Sequence, residues 1–346
     1  MEINKIINKS QQLQQSEKII GFVPVVFALV GNIFVVALKF AGFLISGSSA
    51  LFSETIHSVA DTLNQGLLMV GIKRSQKKAD EDFSYGFGHE RFVWALISAC
   101  GIFFIGSGVT IYHGIQALIE RKEVHISQII FIILIASFII ETFTFWKAWK
   151  ELSKDNTNLK KILEEGDSAS LAVLFEDGIA VLGVAIAFIS ITLTLLTGSY
   201  FWDALGSIIV GILLGIVAII LINKNRGLLV GKSIPDEIKE RVIEILETDP
   251  AVEKVLDFKS STLDANIYRV KCEVEFNGSA LIKEIYKDKF IKNQYKIIKD
   301  DYGEFVKFCV DYVDRVPRLM GKKIDVIEEK IKKEIPKIKH IDIEIN

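Results

Sequence analysis

Apolar and polar positions divide the chain into two unlike parts. Up to about residue 226, charged residues thin out in six stretches long enough to cross a bilayer, which takes roughly twenty helical residues for about 30 Å of hydrocarbon. The predicted spans run from Ile20 to Ser46, Ser48 to Ile72, Phe92 to Ile119, Ile126 to Trp149, Ser168 to Thr197 and Trp202 to Leu221. Short turns such as Ser46-Gly47-Ser48 and Thr197-Gly198-Ser199 separate some of them, and the longer connections are charged. Lys73, Arg74, Lys77, Lys78 and Arg91 lie between helices two and three, Lys150, Lys154, Lys160 and Lys161 between four and five, and Lys224 and Arg226 after helix six. The other connections carry few basic residues, Arg121 and Lys122 excepted, so the positive-inside rule places both termini in the cytoplasm. Residues 1–18, rich in Lys, Asn, Gln and Ser, lack a small-residue cleavage site and are expected to stay attached as a cytoplasmic segment before a membrane domain over 19–226.

After Gly231 apolar runs give way to alternation of apolar and charged residues. Pro235 opens an amphipathic helical pattern through Leu246, Val252 to Phe258 and Ile267 to Phe276 alternate as strands, Leu319 to Glu334 repeats with helical spacing, and Ile341 to Ile345 reads as a last strand. The expectation is a six-helix transmembrane bundle followed by a cytoplasmic α+β domain over 231–346, ferredoxin-like in its αββαβ order. An insertion of about 278–317 is read as one or two further helices.

Composition agrees with a membrane protein: half of the 346 residues are hydrophobic. A formal charge of −2 in a balanced mix of Lys, Arg, Asp and Glu gives no field that favours nucleic acid. Cys100, Cys272 and Cys309 are odd in number and widely spaced, which argues against a disulfide framework or a thiolate zinc site.

A charge in mid-membrane costs about 2.5–3.5 kcal/mol on insertion scales, so ionisable residues inside spans ask for a reason. Helix two has three: Glu54, His57 and Asp61 share one stripe, extended by Asn64 and Gln65. His57 and Asp61 offer an imidazole nitrogen and a carboxylate on successive turns, a donor pair suited to zinc, cobalt, iron or manganese. In helix five Glu176 and Asp177 interrupt an apolar run and supply the other half of a metal site, with Asp177 preferred because adjacent helical positions diverge by about 100°. Glu54, Glu141 in helix four, Asn32 in helix one and Asp203 at the start of helix six stand as proton-carrying or structural polar partners, Asp203 as a cap of its own helix.

These residues resemble the cation diffusion facilitators. Ser48-Ser49-Ala50-Leu51-Phe52-Ser53-Glu54-Thr55-Ile56-His57-Ser58-Val59-Ala60-Asp61 is similar to the second-helix signature, Tyr85-Gly86-Phe87-Gly88-His89-Glu90-Arg91 to the next loop, and Asp203-Ala204-Leu205-Gly206-Ser207 to the opening of helix six. The resemblance implies a homodimer that removes zinc or a related metal from the cytoplasm against protons, with His57, Asp61 and Asp177 among the ligands. It also marks departures. Val173 stands where zinc carriers have His or Asp, with Glu176 beside Asp177 instead, an arrangement similar to the mitochondrial zinc exporter-like branch. Phe83 and Phe87 replace a His-bearing loop site, and the cytoplasmic domain has a single histidine, His340.

No cofactor is expected beyond the transported divalent cation, with zinc first and iron, manganese and cobalt open. Two rival readings are a membrane enzyme, for which H-E-x-x-H and G-x-S-x-G signatures are missing, and a membrane sensor or scaffold that moves nothing. The expected location is a prokaryotic plasma membrane.

Overall fold

A computed structural model describes residues 32–121, 126–153, 168–264, 267–280 and 288–346. The segment 1–18, the first part of helix one, Lys122, Lys154, Lys160 and Lys161 lie outside the described residues, as does the side chain of Val173. The chain divides into two compact units, Met1–Arg226 and Gly227–Asn346.

In the first part lie α1 (Asn32–Ser46), α2 (Ser49–Ser75), α3 (Glu90–Glu120), α4 (Gln128–Leu152), α5 (Ser168–Thr197) and α6 (Phe201–Val230). Among the described residues α3, α4, α5 and α6 are long and apolar enough to cross a membrane, and the described part of α1 is a shorter apolar helix. The 27 residues of α2 include Glu54, His57, Asp61, Asn64 and Gln65, which lower its mean hydropathy. Gly47 takes a left-handed φ of 65° in the α1–α2 turn, and the hydroxyl of Ser48 then caps α2 by accepting from Leu51 N–H at 3.2 Å. A π-helical turn, Ile102–Ser107, interrupts α3.

Two apolar clusters hold these helices. Ala99, Ile102, Ile179, Val210, Leu214 and Leu221 join α3, α5 and α6, and Leu51, Ile130, Leu134, Val184 and Ile191 join α2, α4 and α5. Large apolar side chains also cover the outside: Phe104, Ile105, Tyr112, Ile119, Ile132, Ile139 and Leu196 are each at least 60% exposed. An apolar exterior on helices with internally satisfied backbones fits a lipid solvent.

The second unit contains α7 (Asp236–Glu247), β1 (Val252–Asp264), β2 (Ile267–Phe276), α8 (Asp288–Ile298), α9 (Tyr302–Glu334) and β3 (Ile338–Ile345). Strand order is β1-β2-β3, with β1 antiparallel to β2 and β3 parallel to it. Alternation along β2 buries Tyr268, Val270, Cys272 and Val274 against Val242, Leu246, Ile327 and Ile331 of α7 and α9. Full burial of such side chains contributes about 1.5–3 kcal/mol each.

Three boundaries of the second unit differ from expectation, and α6 runs on past Leu221 to Val230. β1 runs on past Phe258 to Asp264, because Ser260, Ser261 and Thr262 pair with Val270, Arg269 and Tyr268 through a backbone ladder that polar side chains conceal in the sequence. β3 starts at Ile338 rather than Ile341. The last helix starts at Tyr302, not Leu319, so the second half of the expected insertion is the front of α9 and Pro317 lies inside it. Proline removes one ladder bond, yet Phe305, Phe308, Tyr312 and Val316 continue a helical stripe up to it. Asp301 caps the new start by accepting from Gly303 and Glu304 N–H groups at 2.7 and 3.2 Å.

Candidate functional site

The polar stripe of α2 is built from the cap downward. Asp203 of α6 accepts from the Ser48 hydroxyl and the Ser49 N–H, both at 2.5 Å, and from the Ala50 N–H at 3.3 Å. It therefore satisfies the N-terminus of α2, not that of its own helix, which corrects the sequence expectation. One turn on, the Ser53 and Ser207 hydroxyls meet at 2.5 Å and fasten the same two helices.

Below the cap the side chains become ionisable. His57 is buried, with Nε2 3.4 Å from Asp61 Oδ2 on the next turn, and neither ring nitrogen makes a hydrogen bond among the described residues. Asp61 lines a cavity of ≈ 450 Å³ whose wall also includes Gln65 of α2, Glu176 and Asp177 of α5, Glu141 and Lys147 of α4, and Asn32 of α1. Both α5 acids reach this cavity, although neighbouring helical positions point about 100° apart. Glu176 accepts from the Asn64 amide, whose oxygen accepts in turn from the Ser98 hydroxyl of α3, so its carboxylate is oriented through two helices. The Asn32 amide donates to Gln65 at 2.9 Å and bridges α1 to α2.

Sequence reasoning missed Lys39. Its side chain is 0% exposed and its ammonium donates to Glu54 at 2.9 Å, Ser58 at 3.0 Å and Glu141 at 2.5 Å. Glu54 and Glu141 are thus the partners of a buried lysine. Glu54 packs against α5 at Gly183, where any Cβ would run into its Oε1. A lone lysine inside a predicted span is the same signal that marked Glu176 and Asp177; what the sequence conceals is its partners, 15 and 102 residues away.

His57 and Asp61 stand side by side on α2, and Glu176 and Asp177 share a cavity with Asp61. Among the described residues no three His, Cys, Asp or Glu side chains are grouped tightly enough to hold a metal ion. Chemically the cavity offers carboxylate oxygens and, next to it, an imidazole: hard and borderline donors that a divalent cation and a proton would both seek.

Outside the membrane helices the chemistry is plainer. Phe83 and Phe87 meet at a tilt of 40° with ring centroids 4.6 Å apart in the α2–α3 loop, with the Lys77 ammonium over the Phe87 ring, and Asp80 accepts from Phe83 N–H at 2.8 Å to shape the turn. In the second unit burial pushes the Cys272 thiol up to about 12, so it stays protonated at neutral pH and is a poor metal ligand. Burial, and then the positive charges of Arg269 and Lys332, lower the His340 pKa.

Comparison with known proteins places these features in a family context. Residues 25–230 match the family model described as the cation efflux transmembrane domain. The chain is 35% identical over 327 residues to Metal tolerance protein C4 of Arabidopsis thaliana, covering 92% of this chain and 72% of the plant protein. It is 36% identical over 314 residues to the mitochondrial proton-coupled zinc antiporter SLC30A9 of Mus musculus and 35% identical to that of Homo sapiens, over 89% of this chain and 55% of each antiporter. This chain therefore spans about half the length of those antiporters. The mitochondrial location in their names gives the expected prokaryotic plasma membrane no support.

Proposed function

The chain belongs to the cation efflux family and is a membrane transporter, not an enzyme, and from that premise we propose that it exchanges a divalent metal ion, zinc first, for protons across a bilayer. The observation that carries this reading is the convergence of Asp61 from α2 with Glu176 and Asp177 from α5 on one cavity, with the His57 imidazole 3.4 Å from Asp61. Carboxylates buried among apolar helices are costly, and those that face a common cavity mark ion pathways.

The mechanism follows from the donors. A lone pair on Asp61, Asp177 or His57 holds either a metal ion or a proton, so loading the cargo expels protons and protonation expels the cargo. Asp61, His57 and Asp177 are the ligands in this reading, with Glu176 held by Asn64 as a reserve ligand. The two halves of the site sit on different helices, and rocking α5 against α2 would close them on the ion from one side and open them to the other. All six helices, α1 to α6, cross the bilayer, both termini face the cytoplasm, and metal leaves the cytoplasm. Residues 1–18 and 231–346 flank a membrane domain of 19–226, and the protein works as a homodimer. The name of the antiporter relatives supports zinc and proton coupling. Iron, manganese and cobalt remain alternative cargoes for the same donors, and a metal sensor that binds without transport is the rival reading.

The test is uptake of zinc, manganese and iron(II) by sealed proteoliposomes carrying a pH gradient. Zinc should move with the gradient, and Asp61→Ala or Asp177→Ala should reduce the rate by about 100-fold or more, as loss of a ligand does. Normal transport by both variants, or binding without movement in the parent protein, would sink the proposal.

A further inference from the structure

Lys39 is a wholly buried cation in the membrane unit that the transport reading leaves unused. All three N–H donors of its ammonium are engaged, by Glu54, Ser58 and Glu141. The cluster nevertheless holds two carboxylates for one ammonium. Glu54 Oε1 and Glu141 Oε2 are buried without a hydrogen-bond partner among the described residues. Glu54 fastens α1 to α2 and Glu141 fastens α1 to α4, and the cluster sets two carboxyl groups against one cation. Glu141 lines the cavity with Asp61, Glu176 and Asp177, whereas Glu54 does not. Lys39 thus sits behind the cavity wall, and its charge adds to that of every acid facing the cargo.

We infer that Lys39 is an internal counter-cation that sets how tightly the cavity holds a divalent ion, offsetting part of its negative field so that the ion can leave. The inference rests on the transport reading for its purpose and on the ion-pair geometry for its existence. In a water-poor interior a single charge acts over several ångströms with little screening. Lys39 is accordingly a positioning residue acting through Glu54 and Glu141, and it does not touch the cargo.

The test uses the full chain in detergent for zinc binding by calorimetry and in proteoliposomes for zinc uptake. Lys39→Met should tighten zinc binding about tenfold and lower the maximal rate with it. Lys39→Met with Glu141→Gln, which restores the net charge, should return both to within about threefold of the parent. A purely structural lysine would give a folded Lys39→Met with unchanged or weaker binding, and that result overturns the inference. Glu54→Gln and Glu141→Gln keep the lysine and decide the matter even if Lys39→Met does not fold. Similar weakening by both supports a shared field, while weakening by Glu141→Gln alone makes Glu141 a ligand and overturns it. The two readings fail separately: a parent protein that moves no zinc counts against transport, and the binding series alone decides the role of Lys39.

Discussion

In the membrane unit Lys39 bridges Glu54 and Glu141 at 2.9 and 2.5 Å, and in the second unit Arg241 bridges Glu244 and Glu334 at 2.6 and 2.7 Å. The distances are alike and the surroundings are opposite. Lys39 and Glu54 are wholly buried, whereas Arg241 is half exposed and Glu244 more so. Around Arg241, water offers every partner an alternative, so the bridge competes with hydration and is screened by salt. Around Lys39 each group depends on the others, and removing one leaves a buried charge unmatched. The same contrast holds for whole units. The membrane unit hides Glu54, His57, Glu141, Glu176 and Asp203 and turns Phe104, Ile119 and Leu196 outward. The second unit hides Val242, Val270, Ile327 and Ile331. Both interiors are built on apolar side chains, and the first adds a set of ionisable ones to them.

The largest test of that contrast places an unmatched carboxylate in the interior of the second unit. Ile331 is 0% exposed and packed among apolar side chains of the core. Ile331→Asp should cost about 4 kcal/mol or more, from lost apolar burial and a carboxylate without a partner. Limited proteolysis of the full chain in detergent should then cut within residues 227–346 at a temperature where the parent resists. A loss under about 1 kcal/mol would mean that this core tolerates charge as the membrane unit does, and the comparison would fail.

A smaller effect is expected from emptying a filled polar position. Asp203→Ala strips three buried donors of their acceptor: the Ser48 hydroxyl and the Ser49 and Ala50 N–H groups. Unsatisfied buried donors cost about 1–3 kcal/mol each, and partial repair by rotation of the hydroxyl brings the expected sum to about 3 kcal/mol. Thermal unfolding in detergent would read it as a lower midpoint. Asp203→Asn, which keeps an acceptor oxygen, should recover about half. Equal losses for the two substitutions would mean that the negative charge, not the capping, matters.

What could be read in the sequence follows from how local each signal is. Glu54, His57 and Asp61 were legible because spacings of three and four print one helix face directly. Glu176 and Asp177 were legible as carboxylates interrupting an apolar run. Lys39 interrupts helix one in the same way and was overlooked; its partners and that of Asp203 were not legible, because the contacts span 15 to 155 residues and only tertiary packing brings them together. Before the structure, Asp203 at a helix start reads as a cap for its own helix, the nearest donor in sequence. In the second unit Pro317 reads as a boundary because its cost is local, while the helical spacing of Phe305, Phe308, Tyr312 and Val316 carries the pattern up to it.

The smallest expected effect sharpens the comparison most, because in both units it takes one cation from two carboxylates while the surroundings differ. Arg241→Ala removes a cation from two carboxylates, as Lys39→Met does, and by distance alone the two substitutions should be equally damaging. The Arg241 guanidinium is half exposed, so its absence leaves Glu244 and Glu334 to water and not to an apolar interior. The unfolding midpoint of the variant in detergent should therefore be indistinguishable from that of the parent, at low salt and at high salt alike. A clear loss that vanishes with added salt would show that the surface bridge contributes through its charge. The weight given to burial over geometry would then be misplaced for this chain.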